Sequence, residues 1–409
     1  MHYRTYDPQR DKDSVHRIWQ ETGWLEKGKE EIMDTMVEAG HAFVADVDGQ
    51  AECLVITAPG TIRYLDEELP FCAVTGVTTS RIVRRQGFAK RLAAQAIAND
   101  AAEGALVAGL GMFEQGYYNQ IGFGSGGYEH WVSFDPATLN VKHKPRIPRR
   151  LTLEQIDIIH AARLARKRGH GGCNLLPSKL TKADMMWTDN GFGLGYFDGP
   201  HGELTHFIWG GAKEVEHGPY RLEFMAYQTG EQFLELMALL KSMGDQVRLV
   251  RLHEPRDIIF QDLIVQPFKH RQVTEKSTFE MGIRAAAYWQ MRICDLHGCL
   301  EHTHLRGDTV RFNLTLEDPI ATVLDPKTSW RGVGGEYIVT LGPRSWAETG
   351  KDASLPTLKA SVGAFTRLWL GVRPASGLAV TDDLSGPPDV LARLDWVLRL
   401  PEPKPEWDF

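Results

Sequence analysis

The sequence is short of cysteine, of basic charge and of long apolar runs, and each shortage removes a class of protein. Its 409 residues hold five cysteines (Cys53, Cys72, Cys173, Cys294 and Cys299), odd in number, scattered and without a CxxC pair. That pattern argues against a disulfide framework and fits a reducing compartment. With 46 basic against 53 acidic residues the net charge is −7, so the excess of positive charge typical of a nucleic-acid surface is missing and cationic small partners are favoured. No uncharged run approaches the roughly 18 residues that span a bilayer. The N-terminal MHYRTYDPQRDKDS is charged where a secretory signal is apolar. A cytoplasmic protein without nucleic-acid or membrane partners is expected. There is no low-complexity tract and no short-period repeat. What is present is ample core material: 43% hydrophobic residues, including 11 Trp, 17 Phe and 11 Tyr, on a length that suggests two to four domains of roughly 100–200 residues.

Along the chain, KDSVHRIWQETGW sets Val15, Ile18 and Trp19 at helical spacing. HAFVADV and AECLVITA flank Asp48-Gly49, a two-residue hairpin signal. FCAVTGVTT reads as the next strand and RRQGFAKRLAAQAIANDAAEG as an alanine-rich helix ending at Gly104. ALVAGLG is then a short buried strand, with YEHWVSF as the last strand of this region. The basic, proline-bearing stretch at 141–152 suits a domain boundary. A second region follows the same element order, with a hairpin across Asp198-Gly199, the strand RLEFMAY and a helix opened by a Thr229-x-x-Gln232 capping box. From about residue 286 the pattern suggests a small α+β domain, with helix-like PTLKASVGAFTRLWLG.

The segment VTTSRIVRRQGFAKRL carries the clearest chemistry. A strand ends at Val77–Thr79 and a helix opens over Arg84, Arg85, Gln86, Gly87, Phe88 and Ala89. Glycine lets the backbone approach a ligand, and the N–H groups of a helix start favour phosphate oxygens. There is no GK[ST] and no GxGxxG. The stretch instead matches the R/Q-x-x-G-x-G/A pattern by which GNAT acyltransferases hold the pyrophosphate of acetyl-CoA. MFEQGYYNQIGFGSGG resembles a segment of the Eis (enhanced intracellular survival) branch of that superfamily, and LWLGVRPASGLAV resembles a helix junction of its last domain.

The resemblance implies a mixed α/β and α+β chain. It comprises a GNAT domain (1–140), a central GNAT-like domain without a CoA site (141–285) and a sterol-carrier-protein-2-like domain (286–409). It implies acetyl-CoA as co-substrate, a primary amine as acceptor, no metal, and a homo-oligomer, hexamers being common in the family. Backbone at Val77, Thr78 and Thr79 would pair with the pantetheine arm. Arg84 through Lys90 would cradle the pyrophosphate, and Phe113 and Glu114 would line the groove. Tyr118 falls on the general acid and Phe409 on the residue whose terminal carboxylate is the general base. Trp19 and Trp24 are candidates for the acceptor wall, and Asp408 for an acid of the acceptor pocket.

This chemistry is coherent. An alkyl amine titrates near ~10.4 and must lose a proton as it attacks, while the departing thiolate must gain one. A terminal carboxyl titrates at roughly 3.3–3.7 in water, and an aromatic pocket raises it. The ending PEPKPEWDF supplies a stiffened strap with Trp407 and Phe409 as that pocket. The rival from another class is a non-catalytic lipid or acyl-CoA carrier built on the last domain, which would have no need of the Arg84–Ala89 loop or Tyr118. Three further features read as inert: GFGLG at 191–195 as a loop, RKRGHGGC at 166–173 as solvated surface, and His302-x-His304 beside Cys299 as an incomplete metal set.

Overall fold

Asp7 starts the first helix, α1 (Pro8–Thr22): its carboxylate accepts the Gln9 N–H at 2.9 Å and Pro8 takes the first turn. Gly23, with φ 77°, closes it, and Val15, Ile18 and Trp19 face inward. The computed structural model describes residues 2–267 and 272–409. Within it the chain forms two compact units. One comprises residues 1–127, 169–177 and 287–409, and the other residues 128–168 and 178–286. Residues 1–127 and 287–409, from the two ends of the sequence, thus share one unit.

The first unit holds a sheet built on β1 (His2–Thr5), β2 (His41–Val47), β3 (Gln50–Tyr64), β4 (Glu67–Thr79) and β5 (Val107–Gly111), joined edge to edge in that order. Asp48 and Gly49 turn β2 into β3, both at positive φ, as a tight hairpin needs. α2 (Glu30–Val37) lies between α1 and β2 in the chain, and α3 (Phe88–Ala102) connects β4 to β5, which run parallel. α3 begins at Phe88 rather than Arg84, because Arg85 and Gly87 both take left-handed φ. Its inner face, including Leu92, Ala93, Ala96 and Ile97, packs with Val55, Val74 and Leu110.

Three further strands complete this eight-stranded sheet. Trp289–Ile293 runs antiparallel to β5 and to Gly124–Ser125, and Cys173–Leu175 pairs with β3 at Gly60–Ile62. A second, five-stranded sheet of the same unit is built from residues 310–385. The stretch read as one helix from Pro356 is instead a strand, Thr357–Ser361, followed by the helix Val362–Trp369. That helix comes so close that a Cβ on Gly124 would stand 2.3 Å from the Gly363 carbonyl. Tyr64 stacks on Trp369 with centroids 4.4 Å apart and donates its O–H to the Trp369 carbonyl.

The other unit has one seven-stranded sheet. Its strands include Glu129–Phe134, expected in the first sheet but paired here with Val250–His253 and Gly282–Ala286. GFGLG is not a loop: Phe192–Tyr196 is a strand, and its glycines make room, since a Cβ on Gly193 would meet the Trp209 ring at 2.7 Å. Thr229 and Gln232 close the capping box at the start of the helix Gly230–Ser242.

On this sheet Arg146 donates to both Asp198 and Glu235, and His206 shares the Glu235 carboxylate at 3.1 Å. The Arg146 guanidinium, with His206, holds the Glu235 carboxyl down from 4.5 to about 2. A depressed carboxyl stabilises the fold above its unfolded value and loses that contribution as pH falls. In calorimetry, thermal stability should drop between pH 4.5 and 2, and Glu235→Gln should flatten that part of the curve relative to the unaltered chain.

Candidate active site

β3 and β4 shift register between Ile56 and Thr57: Ile56 faces Gly76 and Thr57 faces Val74, so Thr75 is left without an opposite residue. On its other edge β4 pairs with β5 only over Phe71–Val74 against Val107–Leu110. Past Val74, Val77, Thr78 and Thr79 stay paired to β3, while their β5-facing edge carries no strand among the described residues. A bulge at such a point bends the strand away from its neighbour and opens a backbone edge that a ligand can complete.

This opening is a cavity of about 690 Å³. Val77, Thr78 and Thr79 line it, as do Arg84, Arg85, Gly87, Phe88, Ala89 and Lys90. Gly87 sits at the N-cap of α3 with φ 79° and no side chain to cap the helix. The first-turn N–H groups are therefore left for a ligand, at the positive end of a 15-residue helix. Arg84 and Arg85 are exposed, and among the described residues neither has an acidic partner. Lys90 reaches Gln120 at 3.0 Å. Of the segment named from sequence only Gln86 lies off the cavity wall; its amide donates to the Ile82 carbonyl at 3.3 Å. Phe113 and Glu114 line the cavity too, Phe113 being 86% exposed.

Tyr118 opens the short turn Tyr118–Ile121 and is 7% exposed, with its ring edge-on to Tyr117 at 4.9 Å and to Phe123 at 6.2 Å. Burial pushes its phenol well above 10.0, helped by Tyr117 and Cys53. It therefore remains an O–H, a donor and not an anion, throughout the neutral range.

Phe409 reaches the same cavity. The strap that carries it runs beside residues 170–173: Lys404 N–H donates to the His170 carbonyl and Cys173 N–H to the Pro405 carbonyl at 2.8 Å. A Cβ on Gly171 would strike Pro403 at 2.7 Å. His170 is itself fixed, accepting the Leu65 N–H and meeting the Leu370 carbonyl. The RKRGHGGC stretch, expected as solvated surface, is thus buried from His170 onward because it holds the tail. Trp407 is 3% exposed, the Phe409 ring packs against Phe71 at 5.6 Å, and its carbonyl oxygen lies 3.2 Å from where Gly111 would carry a Cβ.

Other expectations are redrawn. Trp19 is fully buried behind Gly76 and does not line the cavity, whereas Trp24 does. Asp408 accepts the Tyr288 O–H at 2.7 Å and is not on the wall. The acid sequence reasoning missed is Glu21, at the end of α1 and three residues before Trp24. The Arg81 backbone N–H, and then Arg17, keep its carboxyl below the usual value. His302 and His304 bond to the carbonyls of Gly298 and Pro343. No helix among the described residues is long and apolar enough to cross a membrane.

Residues 3–126 match the family model of the acetyltransferase (GNAT) domain. Over its whole length the chain resembles three solved structures. A probable N-acyltransferase from Enterococcus faecalis V583 is 17% identical with TM-score 0.77, over 100% of this chain and 99% of that one. A GCN5-related N-acetyltransferase from Anabaena variabilis ATCC 29413 is 14% identical with TM-score 0.79, over 100% of each. Eis1 from Mycobacterium abscessus is 14% identical with TM-score 0.73, again over 100% of each. At such identities the likeness establishes the mixed α/β, GNAT-like fold. No curated protein matches the sequence. The domain match, on this fold, supports an acyltransferase enzyme.

Proposed function

We propose that the chain transfers the acetyl group of acetyl-CoA to a primary amine by direct attack in a ternary complex. One observation carries this reading: an uncapped helix start, a buried phenol and a carboxyl-bearing residue from a remote part of the sequence converge on one cavity. The α3 amides with Arg84 and Arg85 hold the pyrophosphate, and the free edge of Val77–Thr79 receives the pantetheine amides. The bound ammonium first releases one proton to solvent; the neutral nitrogen then attacks the thioester carbon, and its second proton passes to the Phe409 carboxylate directly or through a water. As the C–S bond breaks, Tyr118 donates its proton to the leaving sulfur, giving an amide and free CoA. Glu21 and Glu114, on the wall, suit an acceptor that arrives as a cation.

The same reading makes the chain Eis-like, a GNAT domain followed by a GNAT-like module and a sterol-carrier-like domain. In the central module, the strand Tyr220–Ala226, the helix Gly230–Ser242 and the parallel strand Val250–His253 repeat the order of β4, α3 and β5. Its helix start, however, is occupied by Thr229 and Gln232, which supports a single CoA site per chain.

Thermal-shift titration with acetyl-CoA, followed by thiol release with a panel of amines, tests the function. A protein neither stabilised by acetyl-CoA nor able to consume it would falsify the assignment. Arg84→Glu with Arg85→Glu should weaken acetyl-CoA binding at least about tenfold at low salt, and the difference should shrink in about 1 M salt. Calorimetric titration at both ionic strengths reads it.

A further inference from the structure

The strand Trp289–Ile293 is fully buried, yet two of its five residues, Gln290 and Arg292, are polar. Two apart on a strand, their side chains project from the same face. Both reach the segment that carries Tyr118. The Gln290 amide donates to the Asn119 side-chain carbonyl at 3.1 Å and to the Ser125 hydroxyl at 3.0 Å. Asn119 passes the hold along, its oxygen accepting the Gly116 N–H at 3.1 Å and its amide donating to the Phe123 carbonyl at 2.9 Å. The Arg292 guanidinium donates to the Ile121 carbonyl, the last residue of the Tyr118 turn, and to Asp318 at 2.7 Å. Asp318 is in turn fixed by the N–H groups of Ile320 and Val333. Contact is tight: a Cβ on Gly122 would meet the guanidinium at 2.7 Å and Val362 at 2.5 Å.

Burying a charged pair costs more than filling the same space with apolar side chains. The core alone therefore does not account for this arrangement, whereas a turn whose placement matters does. We propose that Gln290, Arg292 and Asp318 are positioning residues that clamp the 116–123 segment and thereby set where the Tyr118 hydroxyl stands. The role of Tyr118 as proton donor belongs to the function proposed above; the clamp acts on the turn whether or not that role holds.

The test reads both separately. Gln290→Met removes the donor together with a buried amide oxygen that has no hydrogen-bond partner among the described residues, so the variant is expected to fold, which a melting curve checks. Arg292→Met with Asp318→Leu removes the buried pair as a neutral unit, and Arg292→Lys keeps the charge without the fork. For each variant, alkaline difference absorbance is measured against the same variant carrying Tyr118→Phe, which isolates ionisation of Tyr118. Tyr117 and Cys53 are the titratable groups facing the phenol, and Glu21, Arg84, Arg85, Lys90, Glu114 and the Phe409 carboxylate share its cavity; all are unchanged in the comparison. Expected is a fall of the Tyr118 pKa toward about 10 as the turn loosens. With it, kcat should drop about ten- to a hundredfold while acetyl-CoA affinity stays within about twofold. Arg292→Lys should recover part of both.

If Tyr118 ionisation is unmoved in Gln290→Met and in the double variant, the clamp is overturned whatever kcat does. Should the double variant fail to fold, Gln290→Met alone decides. If ionisation moves but kcat does not, the clamp stands and Tyr118 is not the proton donor.

Discussion

Deleting Phe409 is expected to lower kcat about 10²- to 10⁴-fold, the range general-base loss commands, while the protein stays folded. The strap is held upstream of the deletion: the Lys404 and Pro405 backbone bonds to His170 and Cys173 remain, and so does buried Trp407. The half-buried ring of Phe409 contributes on the order of 1 kcal/mol through its packing on Phe71, a few degrees of melting temperature at most. A short C-terminal extension, which converts the carboxylate to an amide, should do the same damage without removing the ring. Phe409→Leu keeps the carboxylate and should retain activity within about tenfold. Thiol-release kinetics alongside calorimetry separate these effects, and a fully active extended chain would return the tail to ordinary packing.

Tyr118→Phe should reduce kcat about 10²- to 10³-fold with acetyl-CoA affinity within about twofold, because the ring packing on Tyr117 and Phe123 survives and only the O–H is lost. The pH dependence follows from the raised phenol. A donor whose pKa lies above 10.0 is not lost as pH rises through 9 toward about 10, so the unaltered enzyme should show no alkaline fall in kcat there. Equal loss of binding and turnover in the variant would assign Tyr118 to structure alone. Both are measurable by acetyl-CoA titration and initial rates from pH 6 to about 10.

Local chemistry was readable where it decides local geometry. Val15, Ile18 and Trp19 on the first helix, Asp48-Gly49, and Thr229 with Gln232 fold as their residues dictate, and the Arg84–Lys90 loop sits at a strand-to-helix junction. What escaped was decided by distant partners. Trp289–Ile293 alternates apolar and polar as a strand does, yet nothing local places it inside, because Gln290 and Arg292 read as solvent-facing residues until the groups they bond are known. The glycines of Phe192–Tyr196 suggest a loop until Trp209 is found lying against Gly193, and Leu204 and Phe207 against Gly195. His170–Cys173 looks solvated because its burial comes from the strap and from β3, not from its own composition. The hairpin of β2 and β3 at Asp48-Gly49 is local and legible; the assignment of Glu129–Phe134 to one sheet or another is not, since alternation names a strand and never its neighbour.

The placement of Trp289 opposite Gly111 has a consequence for how the protein can be made and cut. The stretch 3–126, although it matches a family model as a unit, leaves the chain-entry side of β5 bare until residues 289–293 have been synthesised. Long-range closure of this kind slows folding, and an unpaired, wholly apolar edge such as Val107–Gly111 is the kind that joins the same edge on another copy. A gene fragment ending near residue 127 should therefore yield aggregate, whereas the same fragment supplied in trans with residues 287–409 has the missing strand to recruit.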